Sequence, residues 1–276
     1  MKKWLIGIML TMVIAASARQ LKKPDDNTLW MEDGQQIELS EKAVLYRWLP
    51  AGVEIQPMAD GKGFSFSAQG GKDPKATTGV ILSPEYPFLT FRITDLDMLK
   101  NYRNWTLIVN GWLSSCQVAT PQKGIYVYDL FQNLPEDVAS QRTRYLTFFL
   151  YNLKMNLEYL KLVKKPPYLV RAESADLEIK PGSKVIFTAE LAKAAEDVLL
   201  SLITNGVPQA IKVNGAVKIP LKPTDKTQRI WSAEVEINSI GSKKALNRHG
   251  VFMKMDVLGG ELDEPVWVSL PFKVIP

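Results

Sequence analysis

A two-residue hydrophobic repeat constrains this chain more than any other feature, returning in short runs along much of its length. Phe64, Phe66 and Ala68 alternate with Ser65, Ser67 and Gln69, and Leu89, Phe91 and Ile93 alternate with Thr90, Arg92 and Thr94. Successive side chains of a strand point to opposite faces, so each run has one apolar face and one polar face. In the stretch KNYRNWTLIVNGWLSS, Trp105, Leu107 and Val109 take one face of a predicted strand. Further runs lie at Ile125–Leu130, Tyr145–Tyr151 and Leu157–Val163, with Gly, Pro, Asn and Asp between them. Many short strands punctuated in this way predict an all-β protein built of sandwiches.

Two adjacent prolines, Pro166 and Pro167, interrupt the series, because proline cannot donate to a sheet ladder. A fresh set of strands follows: Val185, Phe187, Ala189 and Leu191 on one face, then Trp231, Ala233, Val235 and Ile237. Val251, Met253, Met255 and Val257 come next, and the segment Pro265–Val274 closes the chain. The expected organisation is two consecutive β-sandwich domains, 19–166 and 167–276, with residues 169–276 able to fold apart from the first. The segment ELAKAAEDVLLSLI is rich in helix formers, yet its position predicts a turn at Ala192–Glu196 and a strand at Asp197–Ile203. Short helical turns are predicted at Asp95–Tyr102 and Pro135–Gln141.

Residues 1–18 read as an export signal. Lys2 and Lys3 precede an apolar run over Trp4–Ala15, and Ala16-Ser17-Ala18 places small residues at the cleavage site. That run falls short of the roughly 20 residues that span a bilayer, so the mature chain is expected in the periplasm or outside the cell. No later segment is apolar enough to cross a membrane. Cys116 is the only cysteine, which excludes an internal disulfide; it reads as a small buried hydrophobe. The net charge of +5 is scattered, and losing Lys2 and Lys3 brings it to +3. Without a basic block, nucleic acid is not an expected partner.

The succession FSFSAQG, GVILSPEYPFLTFRITDLD, WTLIVNG and YLTFFLYNLKMNLEYLKL resembles the galactose-binding-like jelly roll shared by many carbohydrate-binding modules, over roughly residues 28 to 165. The region from residue 169 to 276 resembles an immunoglobulin-like or fibronectin-like sandwich, without the cysteine pair of antibody domains. The first resemblance implies glycan recognition and, in many members, a structural calcium. Asp25, Asp26 and Asp33 do not form a ligand pattern that assigns one, so no cofactor is expected.

Catalytic signatures are sparse. His249 is the sole histidine and stands in the turn-like LNRHGV, no G-x-S-x-G elbow is present, and one His with one Cys cannot build a His-rich zinc site. SAQGGKD lacks the spacing of a phosphate loop. Two carboxylates suffice for glycoside hydrolysis, and Glu234 and Glu236 share a face, but it is the polar face of a one-sided strand. No catalytic residue is assigned. Binding remains: aromatic rings stack on sugar C–H faces while Asn and Arg satisfy hydroxyls. Trp30, Tyr86, Tyr102, Arg103 and Asn104 are the candidate ligand-binding residues, with Trp105 read as a core anchor of its strand. The expectation is an exported, non-catalytic protein that recognises glycan or polysaccharide through N-terminal loops. The alternatives are an adhesion protein contacting a cell-surface protein through both sandwiches, and a secreted carboxylate hydrolase.

Overall fold

The computed structural model describes residues 25–272 apart from 36, 43, 70–72, 99–105, 111–114, 131–141, 175–181, 205–211, 214–217 and 240–250. The described residues contain strands and turns and no helix. The protein is all-β with sandwich-like sheets. The first strands are β1 (Thr28–Glu32), β2 (Trp48–Ala51), β3 (Val53–Pro57), β4 (Phe64–Ala68), β5 (Lys75–Leu82) and β6 (Phe88–Met98). They are followed by β7 (Thr106–Asn110), β8 (Ser115–Ala119), β9 (Gly124–Asp129), β10 (Arg142–Tyr151) and β11 (Leu153–Val163). After the paired prolines come β12 (Leu169–Ser174), β13 (Lys184–Leu191), β14 (Asp197–Thr204), β15 (Lys212–Val213) and β16 (Ile219–Pro220). β17 (Lys222–Pro223), β18 (Ile230–Ser239), β19 (Val251–Leu258) and β20 (Val266–Phe272) complete the set.

The alternation does what the sequence implies. In β13 the burial of Val185, Phe187, Ala189 and Leu191 alternates with more open neighbours, and β4 buries Phe64 and Phe66. The Ala-rich segment turns at 192–196 and enters β14 at Asp197, as its position demands. One expectation fails. Asp95–Met98 is no helical turn: Asp95, Leu96, Asp97 and Met98 extend β6, pairing with Asn156, Met155, Lys154 and Leu153 of β11. A partner strand that supplies ladder hydrogen bonds outweighs the local turn propensity of the two aspartates. The remainder of that segment, 99–102, and Pro135–Gln141 lie outside the described residues.

Among the described residues, three sheets form two cores. One five-stranded sheet has the order β2-β5-β10-β7-β8, another β12-β13-β18-β15 with β17 on β18, and a ten-stranded sheet runs β16-β14-β19-β20-β9-β6-β11-β4-β3 with β1 on β11. The first core is aromatic. Trp48 and Phe148 come from one layer, Phe64, Phe66 and Phe91 from the other, and all five are fully buried. Trp48 meets Phe66 at 5.1 Å and Phe91 meets Phe148 at 5.7 Å, both in the edge-to-face geometry that ring quadrupoles favour. The second core packs Val185, Phe187, Trp231 and Val235 against Leu200, Met253 and Met255.

β9 joins the two cores. It pairs with β6 on one side and in parallel with β20 on the other, Val266 facing Ile125 and Val268 facing Val127. Tyr126 and Tyr128 enter the first core, whereas Ile125 and Val127 enter the second. The strand is therefore covered on both faces, which is why GIYVYD is apolar at both parities. Gly124 opens it at φ 134°, where a Cβ would stand 2.5 Å from the Pro265 carbonyl oxygen. Only glycine tolerates that conformation and that approach. Arg92 braces the same seam, pairing with Glu158 of β11 and, through Nε at 2.6 Å, with Glu264 just ahead of β20.

Candidate functional site

The outward face of the β2-β5-β10-β7-β8 sheet carries the most unusual surface of the described residues. β10 points Leu146, Phe148 and Leu150 into the first core, so the residues of opposite parity, Tyr145, Thr147, Phe149 and Tyr151, face out. Tyr145 is 55 % exposed, and the other three are partly open. A one-sided strand normally fills its outer parity with small polar residues. Here three of the four outer residues are aromatic.

The neighbouring strand supplies polar partners in register. Thr147 sits opposite Thr77 and Phe149 opposite Lys75 on β5. Residues directly opposite in an antiparallel pair share a face. The hydroxyls of Thr77 and Thr147 are 3.1 Å apart. The Lys75 ammonium lies 5.8 Å from the Phe149 ring centroid. Phe149 and Tyr151 have centroids 6.4 Å apart and planes within 5°. The Tyr151 hydroxyl donates to Asp73 Oδ1 at 3.0 Å. Partial burial raises the pKa of that phenol, and the Asp73 carboxylate raises it further, so it keeps its proton and remains a donor. At the upper end, Tyr145 faces Gly79. A Cβ on Gly79 would stand 2.9 Å from the Val44 carbonyl oxygen, and the glycine lets the 44–46 segment close over the strand. From Tyr145 to Tyr151 the row extends about 20 Å at the rise of an antiparallel strand.

The residues chosen from the sequence are distributed differently. Tyr102, Arg103, Asn104 and Trp105 lie outside the described residues, as does His249. Thr106, which follows them in sequence, pairs with Tyr151, so the chain enters β7 opposite the end of the aromatic row. Trp30 is only 2 % exposed and stacks on Tyr46 at 6.0 Å. Tyr86 is 5 % exposed, with the Lys164 ammonium 4.9 Å from its ring centroid. Neither ring offers the open stacking face expected of it. Trp30 occupies an inward parity of β1, and a large ring contributes most when its area leaves water.

The carboxylates are engaged in structural contacts. Glu234 pairs with Lys184 at 3.7 Å, and Asp95 pairs with Lys123 at 2.8 Å. Glu261 accepts the Ala194 amide at 3.0 Å, and that hydrogen bond holds its pKa below the ordinary range. Among the described residues no group of His, Cys, Asp and Glu could hold a metal ion. Cys116 lies in β8 with its backbone paired to Val109. The aromatic face presents flat apolar rings, paired hydroxyls, a carboxylate and a cation on one sheet. The sequence held a signal for it. TFFLY places large apolar residues on both parities, more than one buried face needs.

No family model matches the chain, and no curated protein matches it. Among solved structures it is similar to a DUF4785 family protein from Legionella pneumophila, with 16% identity over 72% of this chain and 59% of that one, at a TM-score of 0.30. A Lactobacillus rhamnosus β-glucuronidase matches with 12% identity over 75% of this chain and 35% of that one, TM-score 0.21. The N-terminal domain of a Streptococcus gordonii adhesin matches with 12% identity over 76% and 61%, TM-score 0.20. The chain thus spans between about a third and three fifths of the length of these structures. At such scores they carry no statement about activity or ligand.

Proposed function

We propose that this is an exported, non-catalytic binding protein whose first sandwich, of the jelly-roll type, recognises carbohydrate. The observation that carries the reading is the outward row of Tyr145, Phe149 and Tyr151 beside Thr77, Thr147 and Asp73. Sugar rings have apolar faces bordered by hydroxyls, and this face offers rings bordered by hydroxyl and carboxylate groups. A partially hydrated surface of this kind suits a ligand that is itself half polar. The recognition element is therefore the sheet face rather than the loops. Export rests on the Lys-apolar-small order of residues 1–18.

The test is glycan-array binding by the full chain and two outward variants, with a third, buried variant as a stability control. Tyr145→Ala and Phe149→Ala should each weaken binding at least tenfold while shifting stability by about 1 kcal/mol or less, as expected for outward strand positions. Phe148→Ala, one residue away but fully buried, should instead cost about 3–5 kcal/mol of stability. Undiminished binding by both outward variants removes the proposal. A second reading, protein contact, draws on the exposed side chains Leu39 and Val44, 54 % and 39 % open beside the same sheet. It becomes the preferred one if no glycan binds.

A further inference from the structure

We infer that the glycan taken by this face is an acidic polysaccharide whose sugar units carry a carboxylate on the ring, a polyuronate. The inference rests on the carbohydrate reading above and adds the charge of the ligand. Lys75 stands opposite Phe149 in the strand register, and its ammonium lies 5.8 Å from that ring, at the outer limit of cation–π attraction. Among the described residues no carboxylate pairs with it; Lys161 and Lys222 also lack one, but they lie on β11 and β17, away from the aromatic row. Asp73, the acidic group nearest in sequence, accepts the Tyr151 hydroxyl instead.

A cation held beside an aromatic platform, with no counterion among the described residues, matches a ligand that brings both an apolar ring face and a carboxylate on that ring. A neutral sugar stacked on Phe149 would use the ring and offer the ammonium hydroxyl oxygens but no counterion. A uronate would use both. A polymer repeats the carboxylate along its length, which suits a row about 20 Å long. Losing Lys2 and Lys3 with the export signal leaves the chain a net charge of +3, which favours the approach of a polyanion.

The experiment measures binding of the full chain to two polyuronates of different linkage, polygalacturonate and alginate, each beside its carboxyl-reduced neutral form. The expected result is at least tenfold tighter binding to one acidic polymer than to its neutral form, weakening as salt screens the charges. Lys75→Gln should lower affinity for the acidic polymer about tenfold and narrow its preference over the neutral form, while Lys75→Arg should keep the preference. Equal affinity for acidic and neutral forms, or unchanged binding by Lys75→Gln, overturns the uronate inference and leaves the carbohydrate reading standing. Binding to neither form, with no neutral glycan bound on the array, overturns both.

Discussion

Tyr159 shows how one side chain can report on the seam between the sheets. It pairs with Arg92 in the β11–β6 register, and the Lys161 ammonium lies 4.4 Å from its ring centroid. Burial pushes its phenol up to about 12 from an ordinary value of 10.0, with a lowering contribution from the Thr90 hydroxyl and raising ones from Glu264 and Glu158. A folded-state pKa raised in this way favours the protonated phenol in the folded chain. The stability it contributes is complete below pH 10.0 and is lost as the pH climbs from there through about 12. Wild-type stability should therefore fall more steeply than that of Tyr159→Phe across this window. Urea midpoints for both chains at about pH 9 and about pH 11 would show it. Parallel pH dependences would mean that the phenol is not held out of water.

At the scale of the element, how much was legible depended on whether the information was local. β4 can be read directly, because FSFSA alternates cleanly and nothing competes with it. β5 is hidden, since Thr77, Thr78 and Gly79 blunt its apolar pattern, although its burial alternates over much of its length. The partnering of β9 with β20 has no local trace at all, joining residues 125–128 to 266–269 across the paired prolines. Strand pairing over such a separation is decided by which surfaces remain uncovered. For the same reason the sequence presents Trp30 and Tyr86 as loop aromatics and does not single out the outward row of β10: composition identifies rings, but only the layer opposite decides which are buried. The double coverage of β9 can be tested. Ile125→Ala should cost about 2–5 kcal/mol and lower amide-exchange protection chiefly in β19 and β20. Tyr126→Ala should lower it chiefly in β6 and β10, whose residues line the core that ring enters. Identical protection changes from the two variants would contradict a strand with separate cores on its two faces.

Across the whole molecule, the question is how far the second half stands alone. We propose a boundary at Pro166-Pro167, because residues beyond it supply nearly all of their own core, including Phe187, Trp231, Leu200 and Met255. The first half nevertheless lends that core Ile125 and Val127, and lends β20 a parallel partner along Val266–Ser269. A fragment spanning 169–276 loses both. Its β20 becomes an open edge, a surface that invites pairing with other chains. Burial of each of those two side chains is worth about 1.5–3 kcal/mol by area, an upper range because an unfolded chain is already partly compact. The fragment should still melt cooperatively, since most of the second core is intact, but at a lower denaturant midpoint than the same strands within the full chain. It should also associate with itself as concentration rises. Denaturation followed through the resonance of fluorotryptophan at Trp231, in a fragment and a full chain of otherwise unchanged sequence, compares the two directly. A fragment as stable as the full chain would show that β9 adds nothing to the second core. A fragment with no cooperative transition would show that the prolines mark a bend within one folding unit, and that the shared sheet holds both halves together.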